Sequence, residues 1–238
     1  MMDLAAGVER DGFALVPNVL DPAAVRALLA ALDDAGGDAP GGVGVRRRAS
    51  VYAMRNLLDL PAVREVAQSP AVRALAECVT GPGAFAVRGI LFDKTPDANW
   101  KVAWHQDLTI AVRGRREVEG FGPWSEKAGV ASVQPPASVL ERMITVRLHL
   151  DDCFAENGPV NVIPGSHRHG RLSAAGIERL RAGTAPVSTC IARGGALVMR
   201  PLLLHASSPA TSPAHRRVVH LDFAVDALPD GLEWHDQV

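Results

Sequence analysis

Hydrophobic and polar positions in the first third of the chain follow a helical period. Asp21-Pro22 combines an N-cap residue with a proline at the first helical position. Four apolar residues then recur at i, i+3, i+4 and i+7 between positions 25 and 32, and Gly36-Gly37 ends the pattern. Two shorter helices are predicted over 61–68 and 70–79, because each begins with proline and carries spaced apolar residues.

After residue 84 the pattern changes to short apolar runs separated by Gly and Pro turns. The clearest is Ile144–Asp151, where Val146, Leu148 and Leu150 alternate with polar residues, as expected of a strand with two different faces. Short strands at regular spacing indicate a sandwich or barrel and not βαβ units. Strands are predicted over 12–16, 85–92, 144–151, 160–163, 196–199 and 217–223, with one helical insertion over 172–182.

The pattern therefore predicts a mainly β protein with flanking helices, in which 1–238 form a single domain. Residues 1–83 are its mostly helical part and 84–238 its β core. The segment 113–136 fits neither pattern, since it is polar, rich in Gly and Pro, and long for a loop. Two interpretations stay open for it: a lid over a pocket, or a mobile surface loop.

Composition narrows the function classes. The 238 residues are 47% apolar and 21% charged with a net charge of −1, so no basic surface argues for a nucleic-acid partner. Three scattered cysteines suit a reducing compartment. The chain shows neither a signal-peptide pattern nor an apolar run near the roughly 18 residues of a membrane span. A cytoplasmic protein with no membrane partner is predicted, and the pattern specifies no oligomeric state.

Candidate chemistry lies in a His-x-Asp motif that occurs three times. The copies are His105–Asp107, His149–Asp151 and His220–Asp222. On a strand, residues i and i+2 share a face, so the motif directs an imidazole and a carboxylate into the same space. With one distant histidine it forms the 2-His-1-carboxylate triad, which binds Fe(II) on one face and leaves positions open.

Spacing along the chain distinguishes the three copies. Only His235 follows His220–Asp222, too near in sequence to come from another strand of the barrel. His149–Asp151 runs directly into a turn and shares its face with Arg147, which indicates polar lining or solvent surface. His105–Asp107 precedes His205 by 100 positions, which leaves room for several strands between the two halves of a site.

Two residues near His205 suggest an anion site. Arg216 begins the last predicted strand, and its guanidinium could hold a dicarboxylate through two hydrogen bonds. Ser207 could add a hydroxyl donor. The alternative for Arg216 is a surface charge beside Arg217.

Taken together, these motifs resemble the phytanoyl-CoA dioxygenase family of Fe(II)/2-oxoglutarate-dependent oxygenases, and the likeness runs along most of the chain. The matching segments are Asp11-Gly12-Phe13, Asp21-Pro22, Lys94-Thr95-Pro96, Trp104-His105-Gln106-Asp107, Leu150-Asp151-Asp152, Asn157-Gly158-Pro159, 162–167, His205-Ala206-Ser207 and Arg216.

The resemblance implies a double-stranded β-helix, the jelly-roll or cupin-like barrel. It implies that His105, Asp107 and His205 bind Fe(II), with no catalytic residue beyond these ligands. It also implies that Arg216, helped by Ser207, binds the distal carboxylate of 2-oxoglutarate. Further candidates are Lys94 and Thr145 for cosubstrate contacts and Arg147, Trp124 and Phe121 for the substrate pocket.

The implied activity is oxidation of an unactivated C–H bond of a small molecule by O2, with decarboxylation of 2-oxoglutarate to succinate. Hydroxylation is favoured over halogenation, because Asp107 is present where related halogenases have a small residue. Arg147 points to an acidic substrate. The alternatives are epimerisation, cyclisation, epoxidation or desaturation with the same cofactors, or a non-catalytic cupin-like metal protein.

Overall fold

A computed structural model of the chain describes residues 2–37, 43–47 and 51–238. Its N-terminal helices are α1 (Met2–Asp11), α2 (Pro22–Gly36), α3 (Pro61–Gln68) and α4 (Pro70–Thr80). The side chain of Asp21 accepts a hydrogen bond of 2.8 Å from the amide of Ala24, which confirms the predicted N-cap of α2. The sequence pattern missed α1, which has only ten residues and no N-cap signal like that of α2.

Strands and two further short helices make up most of the remaining regular structure. The strands are β1 (Phe13–Val16), β2 (Gly44–Arg47), β3 (Val51–Arg55), β4 (Phe85–Lys94), β5 (Val102–His105), β6 (Ile110–Val112), β7 (Trp124–Lys127), β8 (Val130–Val133), β9 (Ile144–His149), β10 (Val160–Val162), β11 (Val187–Thr189), β12 (Ala196–Met199), β13 (His205–Ser207) and β14 (Arg216–Ala224). The helices are α5 (Ala137–Glu141) and α6 (Ala174–Gly183). The helical insertion expected over 172–182 is confirmed as α6, and all six predicted strands are present.

Two antiparallel sheets form the barrel. The larger has the strand order β1-β12-β9-β14-β4-β3-β2, and the smaller has the order β11-β10-β13-β5. Side chains of both sheets line one shared cavity between them, for example Phe92 of β4 and Val160 of β10. Sheets of non-consecutive antiparallel strands that face each other in this way are the jelly-roll arrangement, so the predicted fold class is confirmed.

Alternation along the larger sheet separates its two faces. Val219 and Leu221 of β14 lie on the outer face, in an apolar core shared with Leu28 of α2 and Val72 of α4. Arg216 and the other even-numbered residues of β14 lie on the inner face. Because neighbouring strands are in register, polar residues of β4, β9 and β14 form rows on that inner face.

Less of the segment 113–136 is loop than the sequence pattern suggested. It contains β7 and β8, which form a three-stranded sheet with β6 in the order β6-β8-β7. Three- and four-residue strands bounded by Gly and Pro leave little periodic signal, which is why the pattern missed them. The lid function of this segment stays a prediction.

No helix in the described part of the chain combines the length and apolar character needed to cross a bilayer. Cys78, Cys153 and Cys190 are all free thiols. The cytoplasmic location stays a prediction.

Candidate active site

The structure brings His105, Asp107 and His205 together at the centre of the cavity. His105 ends β5 and His205 begins β13, and the two residues are direct cross-strand partners with ring centroids 4.2 Å apart. The carboxylate of Asp107 lies 3.9 Å from Nε2 of His105 and 3.7 Å from Nε2 of His205. One ligand atom from each of the three residues lies within 4.8 Å of the others, which is the spacing of a candidate metal site.

Hydrogen bonds prepare both imidazoles for metal binding. Nδ1 of His105 lies 2.8 Å from the carbonyl oxygen of Ala103, and Nδ1 of His205 lies 2.8 Å from that of Leu203. Because a carbonyl only accepts, each Nδ1 carries the proton and each Nε2 keeps its lone pair. Oδ2 of Asp107 is buried without a hydrogen-bond partner among the described residues. Two free imidazole lone pairs and one unpaired carboxylate oxygen fit a divalent iron.

Electrostatics keep these ligands in the required protonation states. Burial alone would raise the pKa of Asp107, but the imidazoles of His205, His220 and His105 outweigh it, so this pKa lies below its usual value. Burial also lowers the pKa of His205, against the opposing attraction of Asp107. At neutral pH the carboxylate is therefore charged and His205 is neutral.

The motif His149–Asp151 lies outside the triad. Asp151 forms a bidentate ion pair with Arg217, with two N···O distances of 2.9 Å. Both ring nitrogens of His149 lack a partner in the described structure, and burial together with Arg147 lowers its pKa to about 3. His149 is therefore a neutral, buried residue of the inner face, away from the three candidate ligands.

The motif His220–Asp222 is saturated by its own hydrogen bonds. Nε2 of His220 lies 2.9 Å from Oδ1 of Asp222, which also accepts from Thr145 Oγ1 at 2.7 Å. Oδ2 of Asp222 accepts from Nε of Arg88 at 2.6 Å. Since the carboxylate is fully engaged, this copy offers no free ligand set. Thr145 is thus a partner of Asp222 and does not line the cavity.

Arg216 and Arg147 place two buried guanidinium groups at the cavity. Their exposed fractions are 3% and 6%. Arg216 donates from Nη1 to the carbonyl of Gly158, and Nη1 of Arg147 lies 2.9 Å from Nδ1 of His220. The Nε atoms of both arginines have no partner among the described residues. Burial, and then the charge of Arg216, lowers the pKa of Arg147 to about 10.

Two other cosubstrate candidates differ in placement. Ser207 of β13 lines the same cavity as these arginines. Lys94 is the cross-strand partner of Arg216. Its amine donates to the carbonyl of Ser208, and the residue does not line the cavity. Burial and the charge of Arg216 lower the pKa of Lys94 to about 8.

The aromatic candidates of the 113–136 segment lie elsewhere. Phe121 and Trp124 pack in a second apolar cluster with Leu228, Leu232 and Trp234, away from the cavity lining. The structure therefore does not bring them to the candidate substrate pocket, because their segment folds back as the β7–β8 hairpin. Only the end of β7, at Lys127, reaches the cavity.

Gln106 supports the ligands from behind. Its amide nitrogen donates to the carbonyl oxygens of Gly170 and Leu202 at 2.8 and 2.7 Å, and its amide oxygen accepts from the amide of Leu172 at 2.8 Å. These hydrogen bonds fix Gln106 and, with it, the backbone between His105 and Asp107.

Several cavity residues were not found from the sequence. The cavity has a volume of about 230 Å³. The missed polar residues that line it, together with one tryptophan, are Arg55, Arg88, Trp100, Thr109, Lys127 and His220. Arg88 had a detectable signal, since it interrupts the apolar run of β4 at an inward-facing position. The others needed the pairing of distant strands.

Comparisons with known proteins agree with this geometry. A family model described as phytanoyl-CoA dioxygenase (PhyH) matches residues 8–218. The non-heme alpha-ketoglutarate-dependent epimerase SnoN from nogalamycin biosynthesis is 19% identical, with a TM-score of 0.66, over 96% of this chain and 89% of SnoN. AviO1 from Streptomyces viridochromogenes Tue57 is 24% identical, with a TM-score of 0.68, over 96% of this chain and 98% of AviO1. EctD from S. alaskensis, crystallised with 2-oxoglutarate and 5-hydroxyectoine, is 17% identical, with a TM-score of 0.72, over 93% of this chain and 74% of EctD. No curated protein sequence matches significantly.

Proposed function

The chain belongs to the phytanoyl-CoA dioxygenase family of Fe(II)- and 2-oxoglutarate-dependent enzymes, and from this premise we propose that it oxidises a C–H bond of a small molecule. The reaction is coupled to decarboxylation of 2-oxoglutarate to succinate and consumes O2. His105, Asp107 and His205 hold the iron, and Arg216 holds the cosubstrate.

One observation carries the cosubstrate assignment. Two buried guanidinium groups, Arg216 and Arg147, reach the same cavity as the metal ligands, and neither Nε has a partner within the described residues. Buried cations without counterions are costly, so this arrangement favours a bound dianion. A 2-oxoglutarate molecule meets this need, because it has one carboxylate for an arginine and an α-keto acid end for the metal.

Side chains of the protein bind 2-oxoglutarate, orient it and shield the site from water. Arg216 and the hydroxyl of Ser207 fix the far carboxylate of 2-oxoglutarate, which orients its keto-acid end towards the triad. Phe92, Val102 and Val160 form apolar walls that exclude water. Bound iron, with 2-oxoglutarate and O2, supplies the oxidising power for breaking the C–H bond.

The segment 113–136 contributes to shielding in this proposal. Lys127, at the end of β7, lines the cavity, whereas most of the segment packs against the second apolar cluster. We therefore assign the lid function to the turn after β7 and not to the whole segment.

Hydroxylation is the proposed outcome, and epimerisation is the second candidate. The similarity to the epimerase SnoN favours keeping the second, because both reactions begin by removing hydrogen from carbon. Product analysis by mass spectrometry separates them, since hydroxylation adds one oxygen atom and epimerisation leaves the mass unchanged. The family is one of enzymes, which leaves the non-catalytic cupin alternative without support.

A matched pair of histidine variants tests the metal assignment. His105→Ala should weaken Fe(II) binding by at least about 100-fold and abolish succinate formation, because a metal ligand contributes more than an outer-sphere partner. His149→Ala removes the same group from the second motif and should leave iron affinity unchanged. Anaerobic calorimetric titration measures iron affinity, and succinate is measured chromatographically under air.

The reverse result would overturn the assignment. Iron binding that survives in His105→Ala but is lost in His149→Ala would place the metal at the other motif. The proposed reaction would be contradicted if wild-type protein bound iron but formed no succinate from 2-oxoglutarate in the absence of a primary substrate.

A further inference from the structure

A second group of cations lines the cavity at a distance from Arg216. Arg55 ends β3, Arg88 lies on β4, and Lys127 ends β7, so three separate elements converge on this region. We call these three residues the entrance cations.

Strand register separates the entrance cations from the cosubstrate residues. Arg55 is the cross-strand partner of Ile90, and Arg216 is the partner of Lys94, so the two arginines lie four residues apart along β4. At a rise of about 3.3 Å per residue this is roughly 13 Å along the sheet. Both groups therefore line one cavity, but a single 2-oxoglutarate anchored on Arg216 leaves the entrance cations free.

Charge at the entrance cations is only partly balanced. Arg88 is paired with Asp222 at 2.6 Å. Nζ of Lys127 donates to the neutral hydroxyl of Thr109 at 2.8 Å. No carboxylate in the described ranges forms an ion pair with the guanidinium of Arg55. A surplus of two positive charges therefore remains on these half-buried groups.

Burial and the repulsion between these cations both act on the pKa values of Arg55 and Lys127. Burial, and then the charges of Arg88 and Arg46, lowers the pKa of Arg55. Burial, and then the charges of Arg88 and Arg55, lowers the pKa of Lys127. Both directions mean that burial and the neighbouring cations disfavour the positive charges, and a bound anion would offset this effect.

The cavity that the entrance cations and the metal ligands share also has an apolar wall. Trp100 lines the cavity and packs against Tyr52 with ring centroids 5.5 Å apart, and Ile90 and Val102 continue this wall. An occupant that uses both features has an oxyanion at one end and an apolar body at the other.

We propose that the primary substrate is a small oxyanion, a carboxylate or phosphate ester, whose charged group binds Arg55 and Lys127. Its apolar body lies along Trp100, which brings a C–H bond next to the metal ligands. This inference rests on the proposed function, because it assumes that Arg216 and the triad are occupied by 2-oxoglutarate and iron. A cavity of about 230 Å³ suits a small molecule, since drug-sized ligand sites begin at roughly 300 Å³.

Matched acid and amide probes test the charge requirement. The protein loaded with Fe(II) and 2-oxoglutarate under nitrogen is titrated calorimetrically with phenylacetate, phenylacetamide, hexanoate, hexanamide and phenyl phosphate. Anions should bind at least about tenfold more tightly than the amides, because each charged hydrogen bond contributes about one factor of ten. Comparison of phenylacetate with phenyl phosphate distinguishes a carboxylate site from a phosphate site.

Variants locate the binding site. Arg55→Gln and Lys127→Gln should each weaken binding of the tighter anion about tenfold while changing 2-oxoglutarate affinity less than twofold. Arg113→Gln and Lys101→Gln remove the same charges from exposed positions outside the cavity lining and should leave binding unchanged.

Equal binding of acids and amides would overturn this inference, as would failure of every anion to bind. Anion binding that is unaffected in both Arg55→Gln and Lys127→Gln would also overturn it. These outcomes remain distinct from failure of the proposed function. Succinate formation without primary substrate, measured on the same wild-type preparation, reports the iron and 2-oxoglutarate chemistry independently of the anion.

Discussion

A chain of hydrogen-bonded polar residues crosses the inner face of the larger sheet beside the metal ligands. It runs from Arg88 to Asp222 and His220 and ends at Arg147, with donor–acceptor distances of 2.6 to 2.9 Å. Residues that follow one another in this network lie on the same cross-strand row or on adjacent rows, because β4, β14 and β9 are adjacent strands. Asp222 is the only one of these four residues with a carboxylate, and its negative charge compensates the positive charge of Arg88.

Replacement of Asp222 by Asn should therefore destabilise the fold. Asp222 is 2% exposed, and its loss leaves the guanidinium of Arg88 buried without a counterion. We expect the free energy of unfolding to fall by about 3 kcal/mol, as measured by urea denaturation at neutral pH. Asp226→Asn breaks an ion pair of the same type with Arg142, but at an exposed site, and should change stability little.

The effect of Asp222 should also depend on pH. Burial raises its pKa, but Arg88, His220 and Thr145 outweigh burial and hold the pKa far below the usual aspartate value. The folded state therefore binds this proton less readily than the unfolded state, so the stabilisation is complete above about pH 4 and declines at lower pH. The difference between wild type and Asp222→Asn should shrink below that pH. A difference that is constant down to pH 3 would contradict this account.

At the scale of single residues, the sequence was sufficient for the candidate metal ligands but not for the substrate side of the cavity. His105, Asp107 and His205 follow from a local motif and one long spacing. Arg55 and Lys127 carry no such motif, because their place in the cavity depends on which strands lie beside β4 and β8.

At the scale of elements, the loop before β10 positions Arg216, the arginine proposed to bind the cosubstrate. The carbonyl of Gly158 accepts from Arg216, and Gly158 has a φ of 71°. A Cβ at this position would lie 2.6 Å from the carbonyl oxygen of Ser208 and 3.0 Å from Nζ of Lys94. Glycine is therefore required both by the backbone conformation and by the close approach of the loop to its neighbours.

Gly158→Ala should weaken 2-oxoglutarate binding as well as stability. The contact with Ser208 forces the loop to move, which shifts the acceptor that orients Arg216. Gly165→Ala is the matched control, because Gly165 is also left-handed, with a φ of 75°, and an added Cβ would have only an ordinary contact of 3.8 Å with the carbonyl oxygen of Arg10. It should cost only the left-handed backbone strain, about 1 kcal/mol. Denaturation and 2-oxoglutarate titration measure both effects, and an equal loss in the two variants would rule out the steric contribution.

Strands were predicted correctly where they are long and where apolar and polar residues alternate along them. β4, β9 and β14 have six or more residues with apolar residues on the helix-facing side, and all three were predicted. The strands β5 to β8 have only three or four residues each, too few to establish a period, whereas the equally short β1, β10 and β12 were predicted because they are apolar runs beside Gly or Pro turns. The pairing partners of β5 to β8, and not their own sequences, determine that they are strands.

At the scale of the whole molecule, the barrel encloses an unusual interior. Its outer, helix-facing side is a conventional apolar core, whereas the cavity between the two sheets is lined by arginines, histidines and Asp107, with the buried Asp222 hydrogen-bonded to His220. Desolvation of these groups opposes folding, and bound ligands of opposite charge compensate for it. The stability of the molecule should therefore be coupled to occupancy of its site.

Thermal denaturation under nitrogen tests this coupling. Fe(II) and then 2-oxoglutarate should each raise the melting temperature, and a ligand at 100 times its dissociation constant adds about 2.7 kcal/mol. For a chain of this length that corresponds to roughly 5–10 °C. Arg216→Ala should keep the increment from iron and lose the increment from 2-oxoglutarate, because only the second ligand needs the guanidinium.

Arg217→Ala is the control for this experiment. Arg217 is adjacent in sequence but pairs with Asp151 on the other side of the sheet, so its loss should lower the starting melting temperature without affecting either increment. If Arg216→Ala retained the full 2-oxoglutarate increment, the cosubstrate carboxylate would have to lie on Arg147 instead, the second buried guanidinium whose Nε has no partner in the described residues. The same titration on Arg147→Ala would then show the loss, so the two arginines can be assigned from melting temperatures alone.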